Sequence, residues 1–369
     1  MDKLFYVIPS TGAARFYQKL GIFSQKSSER RPNRYDESME NDASGSTPYY
    51  KLGPDTVLQA VESTGLLSDG RLLALNSYEN RVYQVGIEEG TPVVAKFYRP
   101  GRWSNEQILE EHEFSLELEA AEIPLIAPTR ITGETLHHFE GFRFTLFRRQ
   151  GGHAPELEDK ETLLWLGRFI GRIHAVGRAQ PFGSRPALTP ERFGDDSIKT
   201  ILEGSWLPLH LGTAFESLTG DLMTSIRAAW ERAGNVSSIR LHGDCHPGNL
   251  LWRDGPFFVD LDDCQSGPAI QDLWMLLSGD SHDMENQLSS VIEGYRQFCD
   301  FDLRELQLIE ALRTLRMLHH AAWLARRWED PAFPIAFPWF DGPRYWEDLI
   351  LSLREQLSAM QEPAVTLPY

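Results

Sequence analysis

Apolar and polar positions alternate with a period of two in the first half of the chain and with a helical period in the second, the change falling near residue 150. Residues 81–87 alternate, Glu88-Glu89-Gly90 supplies turn chemistry, and 91–98 return as an apolar run, which predicts a β-hairpin. A second strand pair is predicted over 135–139 and 142–147, around Glu140-Gly141. One helix lies between the pairs: Ser104 and Gln107 form a capping-box pattern, Ile108, Leu109, His112 and Leu116 share a face, and Pro124 closes the segment. After Gln150-Gly151-Gly152, Leu163, Leu166, Phe169, Ile170 and Ile173 keep a helical period up to Gly177. Helical patterns return at 213–233, 285–299 and 303–328, and a last helix to 360 follows the aromatic, Pro-rich stretch FPWFDGPRYW.

The pattern predicts an α+β fold of two unequal lobes. An N-terminal antiparallel β-sheet lobe with one helix takes 51–150, a larger and mainly α C-terminal lobe takes 151–369, and the two meet at a hinge over 148–152. The first 50 residues are read as an extension. Residues 24–48 carry almost no apolar side chains, so burial cannot offset the entropy of ordering them, and disorder is expected. Residues 1–23 form either a short docking helix or sequence upstream of an initiator at Met39.

Composition narrows the partners. With 36 basic against 53 acidic residues and a net charge of -17, the average surface repels a phosphate backbone, so nucleic acid is not expected as a partner. An anionic ligand must therefore sit where a few Lys and Arg side chains, or a metal, reverse the field locally. Cys245, Cys264 and Cys299 make an odd count without a C-x-x-C pair, which fits a reducing compartment such as the cytoplasm. No stretch approaches the ~18 to 20 apolar residues of a membrane span, so a protein without membrane contact is expected.

The most specific segment is LHGDCHPGNLLW (241–252), a short strand, a polar loop and another strand, followed by the turn Arg253-Asp254-Gly255 and by FFVDLDD (257–263). The spacing carries the chemistry. Phosphoryl transfer uses an Asp against the acceptor hydroxyl, an Asn five residues on for Mg²⁺, and a further Asp after the next hairpin to complete the metal site. Asp244, Asn249 and Asp260 stand in that pattern, Asp244 as proton acceptor, Asn249 and Asp260 as metal ligands, with Asp260 catalytic as well. His242, Asp244 and His246 could instead bind zinc, but a third ligand at zinc-site spacing is missing.

These residues, with LNSYENRVYQV, VVAKFYRPGRW, ILEEH and AIQDLWMLLSGD, resemble the aminoglycoside and choline phosphotransferase family, a branch of the protein-kinase-like fold, over roughly 55–369. They are similar above all to its bacterial serine/threonine protein kinases. The resemblance implies a bilobal kinase-like fold, ATP as phosphoryl donor, Mg²⁺, a monomeric cytoplasmic enzyme that also phosphorylates itself, and a role in stress response. By that resemblance Lys96 grips the ATP phosphates and Asp244, Asn249 and Asp260 take the roles already read from their spacing. The helix partner of Lys96 is expected to be Glu111 by its distance before Pro124, with Glu110 and Glu113 as alternatives.

The sequence also departs from the usual pattern. No G-x-G-x-x-G or Walker loop occurs; Asn76-Ser77-Tyr78-Glu79-Asn80-Arg81 takes that place, with Ser77 and Asn80 as hydrogen-bond donors to phosphate oxygens and Arg81 as added charge. Leu261 and Asp262 replace the Phe and Gly of D-F-G, and Asp262 either assists a second metal or caps a loop. Asp272 is read as a structural anchor, His242 as a packed brace, and Cys245 as a candidate redox-sensitive thiol. Only 11 residues separate Asp260 from Asp272, too few for a peptide-docking activation segment, so spacing favours a small hydroxyl acceptor whereas the resemblance favours Ser or Thr of a protein. The C-terminal aromatics, Trp323 to Trp346, either line that acceptor cleft or form core.

Overall fold

The computed structural model describes residues 48–367, so the expectations for 1–23, for the polar stretch up to residue 47 and for Met39 lie outside the described residues. The chain begins with α1 (Pro54–Glu62), entered at a proline whose missing N–H is one that a helix start leaves unbonded anyway. It continues into β1 (Ser68–Leu75), β2 (Arg81–Ile87), β3 (Val93–Phe97), α2 (Asn105–Ala120), β4 (His137–Phe139) and β5 (Phe142–Arg148). All pairings are antiparallel, in the order β1-β2-β3-β5-β4.

The two predicted strand pairs and the capped helix between them are present, Ser104 and Gln107 closing a reciprocal capping box. Neither α1 nor β1 is among the predicted elements. The first is short, and the second shows no buried position and shifts register against β2 between Ser68 and Leu72, which erases its alternation. Helix α1 buries Val57, Ala60 and Val61 against Val85, Ala95, Phe97, Phe144 and Leu146 of the sheet. Each such side chain removed from water is worth about 1 to 3 kcal/mol.

The second lobe holds α3 (Lys160–Gly177), α4 (Asp196–Glu203), α5 (Gly212–Ala233), β6 (Ile239–Leu241), β7 (Leu250–Trp252), β8 (Pro256–Phe258), β9 (Gln265–Gly267), α6 (Gln271–Trp274), α7 (Ser281–Tyr295), α8 (Ile309–Arg327), α9 (Ala332–Ala336) and α10 (Pro343–Ala359). Helices α3 and α7 touch backbone to backbone. A Cβ added at Gly167 would lie 2.0 Å from the Val291 carbonyl oxygen, and one at Gly294 would lie 2.2 Å from that of Leu164. This pair carries His174 and Tyr295, which reach Asp272 beneath the loop 242–249. At the hinge, His153 and Trp252 exchange backbone hydrogen bonds of 3.1 and 2.7 Å, so the linker extends the β7–β8 ribbon at its edge.

Of the C-terminal aromatics, Phe340 and Trp346 are fully buried core against α5 and α8, whereas Trp323 and Phe337 line the cavity between the lobes. Among the described residues no helix is long and apolar enough to cross a membrane.

Candidate active site

A cavity of 810 Å³ lies between the lobes and is lined by Ser77, Lys96, Asp244, Asn249 and Asp260 together. The β6 strand delivers the loop 242–249 to its floor, and buried Asp272, at the start of α6, fixes the loop's backbone. Its Oδ1 accepts Gly243 N–H and its Oδ2 accepts His242 N–H, both at 2.8 Å, while Oδ2 also lies 3.0 Å from His174 Nε2. His174 Nδ1 in turn meets the Tyr295 hydroxyl at 3.0 Å, so the catalytic loop is anchored to the α3–α7 pair. Gly243 has φ +85, and a Cβ there would stand 2.2 Å from the Asp263 carbonyl oxygen, so the loop can turn only with glycine. His242 is the brace expected, buried with Nε2 3.0 Å from the Val259 carbonyl.

Asp244 faces the cavity between two bases. Its Oδ1 accepts from Arg316 Nη1 at 2.5 Å and its Oδ2 lies 3.3 Å from His246 Nε2. Burial alone would raise its pKa, but Arg316 and His246 outweigh that and hold the carboxyl well below the usual range. Asn249 Nδ2 donates to the Asp244 carbonyl at 3.0 Å, which leaves Oδ1 as the outward oxygen. The Asn249 carbonyl accepts Val259 N–H at 3.1 Å, one step beyond the Leu250–Phe258 pair, so the β7–β8 ribbon sets Asn249 beside Asp260. Asp260 holds a left-handed backbone, φ +61, and keeps 53% of its side chain exposed. Two hard oxygens at this edge of the cavity fit a divalent cation that also binds phosphate oxygens.

Lys96 is almost fully buried, with Nζ 3.0 Å from Asp260 Oδ1, 3.0 Å from Asp262 Oδ1 and 3.4 Å from Glu111 Oε1. Burial would lower its pKa, yet the three carboxylates raise it well above the ordinary value, so it is a fixed cation. Burial pushes Glu111 up to about 7 against the pull of Lys96. Glu111 is thus the helix partner, while Glu110 is used elsewhere: its carboxylate caps the backbone N–H groups of Gly183, Ser184 and Arg185 at 2.5 to 2.8 Å. Glu111 touches Lys96 and does not line the cavity.

The structure corrects three expectations. Arg81 turns away from the cavity; its guanidinium lies over the Tyr49 ring at 4.5 Å and 3.5 Å from Asp330, because Tyr49 and Asp330 offer it an aromatic face and a charge outside the cleft. Asp262, read as a second-metal or loop-capping acid, is instead buried between Lys96, Arg102 and Asn80, the last donating to it at 3.1 Å. Cys245 is buried and burial raises its thiol pKa well above the ordinary value, the opposite of a reactive thiolate. Among the described residues no three His, Cys, Asp or Glu side chains gather to hold a metal, which removes the zinc alternative for 242–246.

Sequence reading missed Arg102, Arg316 and Glu79. Glu79 ties the nucleotide-side loop to α8, and Arg102 joins Asp262 and Asp263 across the lobes. Arg316 had a signal, since it falls with Leu312, Leu315, His319 and Trp323 at helical spacing along the cavity face of α8.

The sequence profile of the phosphotransferase enzyme family (APH) matches residues 71–309. Stress response kinase A of Escherichia coli O157:H7 is 45% identical over 319 residues, covering 86% of this chain and 97% of that protein. Serine/threonine protein kinase RdoA of Salmonella typhimurium is 42% identical over the same shares. Among solved structures, the amicoumacin kinase hAmiN in complex with AMP-PNP, Ca²⁺ and Ami superposes with a TM-score of 0.62 at 17% identity, over 80% of this chain and 93% of that one. With its fold, its catalytic spacing and these relatives in agreement, the chain belongs to the phosphotransferase enzyme family.

Proposed function

We propose that this protein is a Mg²⁺-dependent serine/threonine kinase that transfers the γ-phosphate of ATP to protein hydroxyls, itself included, as a cytoplasmic monomer acting in stress response. The names of its relatives, a stress response kinase and a serine/threonine protein kinase, support the acceptor and the setting. The observation that carries the reading is the convergence of Lys96, Asp260, Asn249 and Asp244 on one cavity, with Lys96 held 3.0 Å from Asp260.

In this reading Lys96, oriented by Glu111, binds the α- and β-phosphates, and Ser77 donates to the terminal phosphates from the loop above. Asn249 Oδ1 and the Asp260 carboxylate hold Mg²⁺, which supplies charge neutralisation for the transferring phosphoryl group. Asp244 orients the acceptor hydroxyl and takes its proton late in transfer, when the hydroxyl has become acidic; a carboxyl of low pKa suffices for that.

A second reading, a small-molecule kinase for an amino alcohol, aminoglycoside or sugar, draws on the acceptor side. Residues 261–270 fold into a 3₁₀ turn and β9, paired with β6, and leave no loop for a docked peptide. Incubation with labelled ATP and Mg²⁺, with and without a cell lysate and a metabolite panel, separates them. Label on protein that vanishes in Asp244→Asn while ATP affinity persists upholds the kinase assignment; undiminished transfer by that variant refutes the role of Asp244.

A further inference from the structure

We call the recess that part of the cavity lined by Arg316, His319, His320 and Trp323 of α8 with Arg192 and Phe193, the Phe193 ring lying 4.3 Å from that of His319. The α8 residues recur every three or four positions, so one helix face builds the wall. The ion pairs on this cavity leave Arg192 over as a cation. Arg192 donates to neutral oxygens, Gln265 Oε1 at 2.9 Å and the Ala187 carbonyl at 3.4 Å, and no ion pair engages it among the described residues. The carboxylates on the same cavity each have a cation: Asp244 has Arg316, Asp260 and Asp262 have Lys96, Asp262 and Asp263 have Arg102, and Glu79 has Arg99 and Arg327. The His319 ring stacks on Phe193 at 4.3 Å, and burial together with Arg326, Arg192, Arg316 and Arg102 keeps it neutral. On a chain of net charge -17 this is a local reversal of field, which repels an amine and draws an anion.

We infer that the recess takes an acceptor whose hydroxyl stands close to a carboxylate, which in a polypeptide means a Ser or Thr flanked by Asp or Glu, with Arg192 reading the flanking charge. The inference deepens the kinase reading and rests on it for the direction in which the acceptor enters. Arg192 and Arg316 both bear on the buried His319 ring, and Arg316 is 2.5 Å from Asp244, so a carboxylate at Arg192 and the hydroxyl it accompanies arrive at neighbouring groups.

The test compares initial rates on serine peptides of equal length with acidic, neutral or basic flanks, and on a free hydroxy acid against an amino alcohol of equal size. Binding of the same fluorescent peptides to protein loaded with a non-hydrolysable ATP analogue is measured in parallel by anisotropy. The wild type is expected to favour acidic over basic peptides by about tenfold or more in kcat/KM, and Arg192→Glu to reverse the order. Arg192→Gln, which can still hydrogen-bond Gln265, should lose the preference without reversing it, and serves if the glutamate variant does not fold. Preference for the hydroxy acid with no peptide labelled upholds the anion-binding recess and overturns the protein-kinase reading. Acidic peptides that bind preferentially without being labelled do the same. Equal or better use of basic or amine-bearing acceptors, or an acidic preference unchanged in both Arg192 variants, overturns the inference.

Discussion

Glu79 accepts the indole N–H of Trp323 at 2.5 Å, joining residues 244 positions apart. The same carboxylate lies 2.9 Å from Arg327 and 3.0 Å from Arg99, while Arg99 reaches Asp330 at 2.6 Å and Tyr78 packs on Phe337 at 4.9 Å. The loop above the nucleotide side of the cleft is thereby latched to α8 and the segment after it. Removing Glu79 leaves Arg99, Arg102 and Arg327 facing one another without their shared counter-charge. Glu79→Ala should cost about 3 to 5 kcal/mol in urea unfolding and speed amide exchange across 76–81. A variant with wild-type exchange in that loop would show that the latch contributes nothing.

What the sequence disclosed follows from how locally each feature is encoded. Asp244, Asn249 and Asp260 sit within one ribbon, so their spacing along the chain is also their spacing in space, and Lys96 is marked by the end of an apolar strand. Glu79, Arg102 and Arg316 meet partners from the other lobe or from a helix far along the chain, and no local pattern announces such a pair. Asp262 shows the limit plainly: three acids within four residues look alike until the fold buries one beneath Lys96 and leaves Asp260 half exposed at the cavity. Ser104 and Gln107 were legible because a capping box is complete within four residues.

Glu305 links stability to pH. It is buried, accepts Ile270 N–H at 2.8 Å, and burial raises its pKa from 4.5 to about 7. Between those values the folded protein keeps a proton that the unfolded chain has lost, so this contribution is full below the unfolded pKa and declines as pH rises through the folded one. The slope approaches about 1.4 kcal/mol per pH unit for one proton. Glu305→Gln retains an acceptor for Ile270 and should flatten the urea-unfolding profile across this window by up to that slope; an unchanged profile assigns the dependence elsewhere, Glu111 included.

Gly243 makes a test of loop geometry rather than charge. Its φ of +85 and the 2.2 Å approach of a Cβ to the Asp263 carbonyl mean that alanine must push the loop from Asp272. A shift of about 1 Å at Asp244 should lower kcat by about 10²-fold. ATP affinity, which the proposed function assigns to Lys96 in the other lobe, should stay near wild type in calorimetry. Equal losses in both would mean that the substitution unfolds the protein instead of displacing the base.

Arg316 sets the acid limit of the proposed reaction. Burial pushes the Asp244 carboxyl up, and Arg316, followed by His246, pulls it well below its ordinary range. The base is therefore ionised across the physiological range and into mild acid, and the wild-type rate should be flat there. Arg316→Met removes the stronger pull and leaves burial opposed by His246 alone, so the carboxyl pKa should rise and the acid limb of kcat/KM should move to higher pH. The direction separates this role from simple structural damage, which lowers the rate at every pH alike. Restoring the cation as Arg316→Lys should return part of the shift, because a lysine supplies charge without the two-pronged geometry of the guanidinium. A pH profile that keeps its acid limb in the methionine variant would mean that Asp244 is not the group whose ionisation the rate reports.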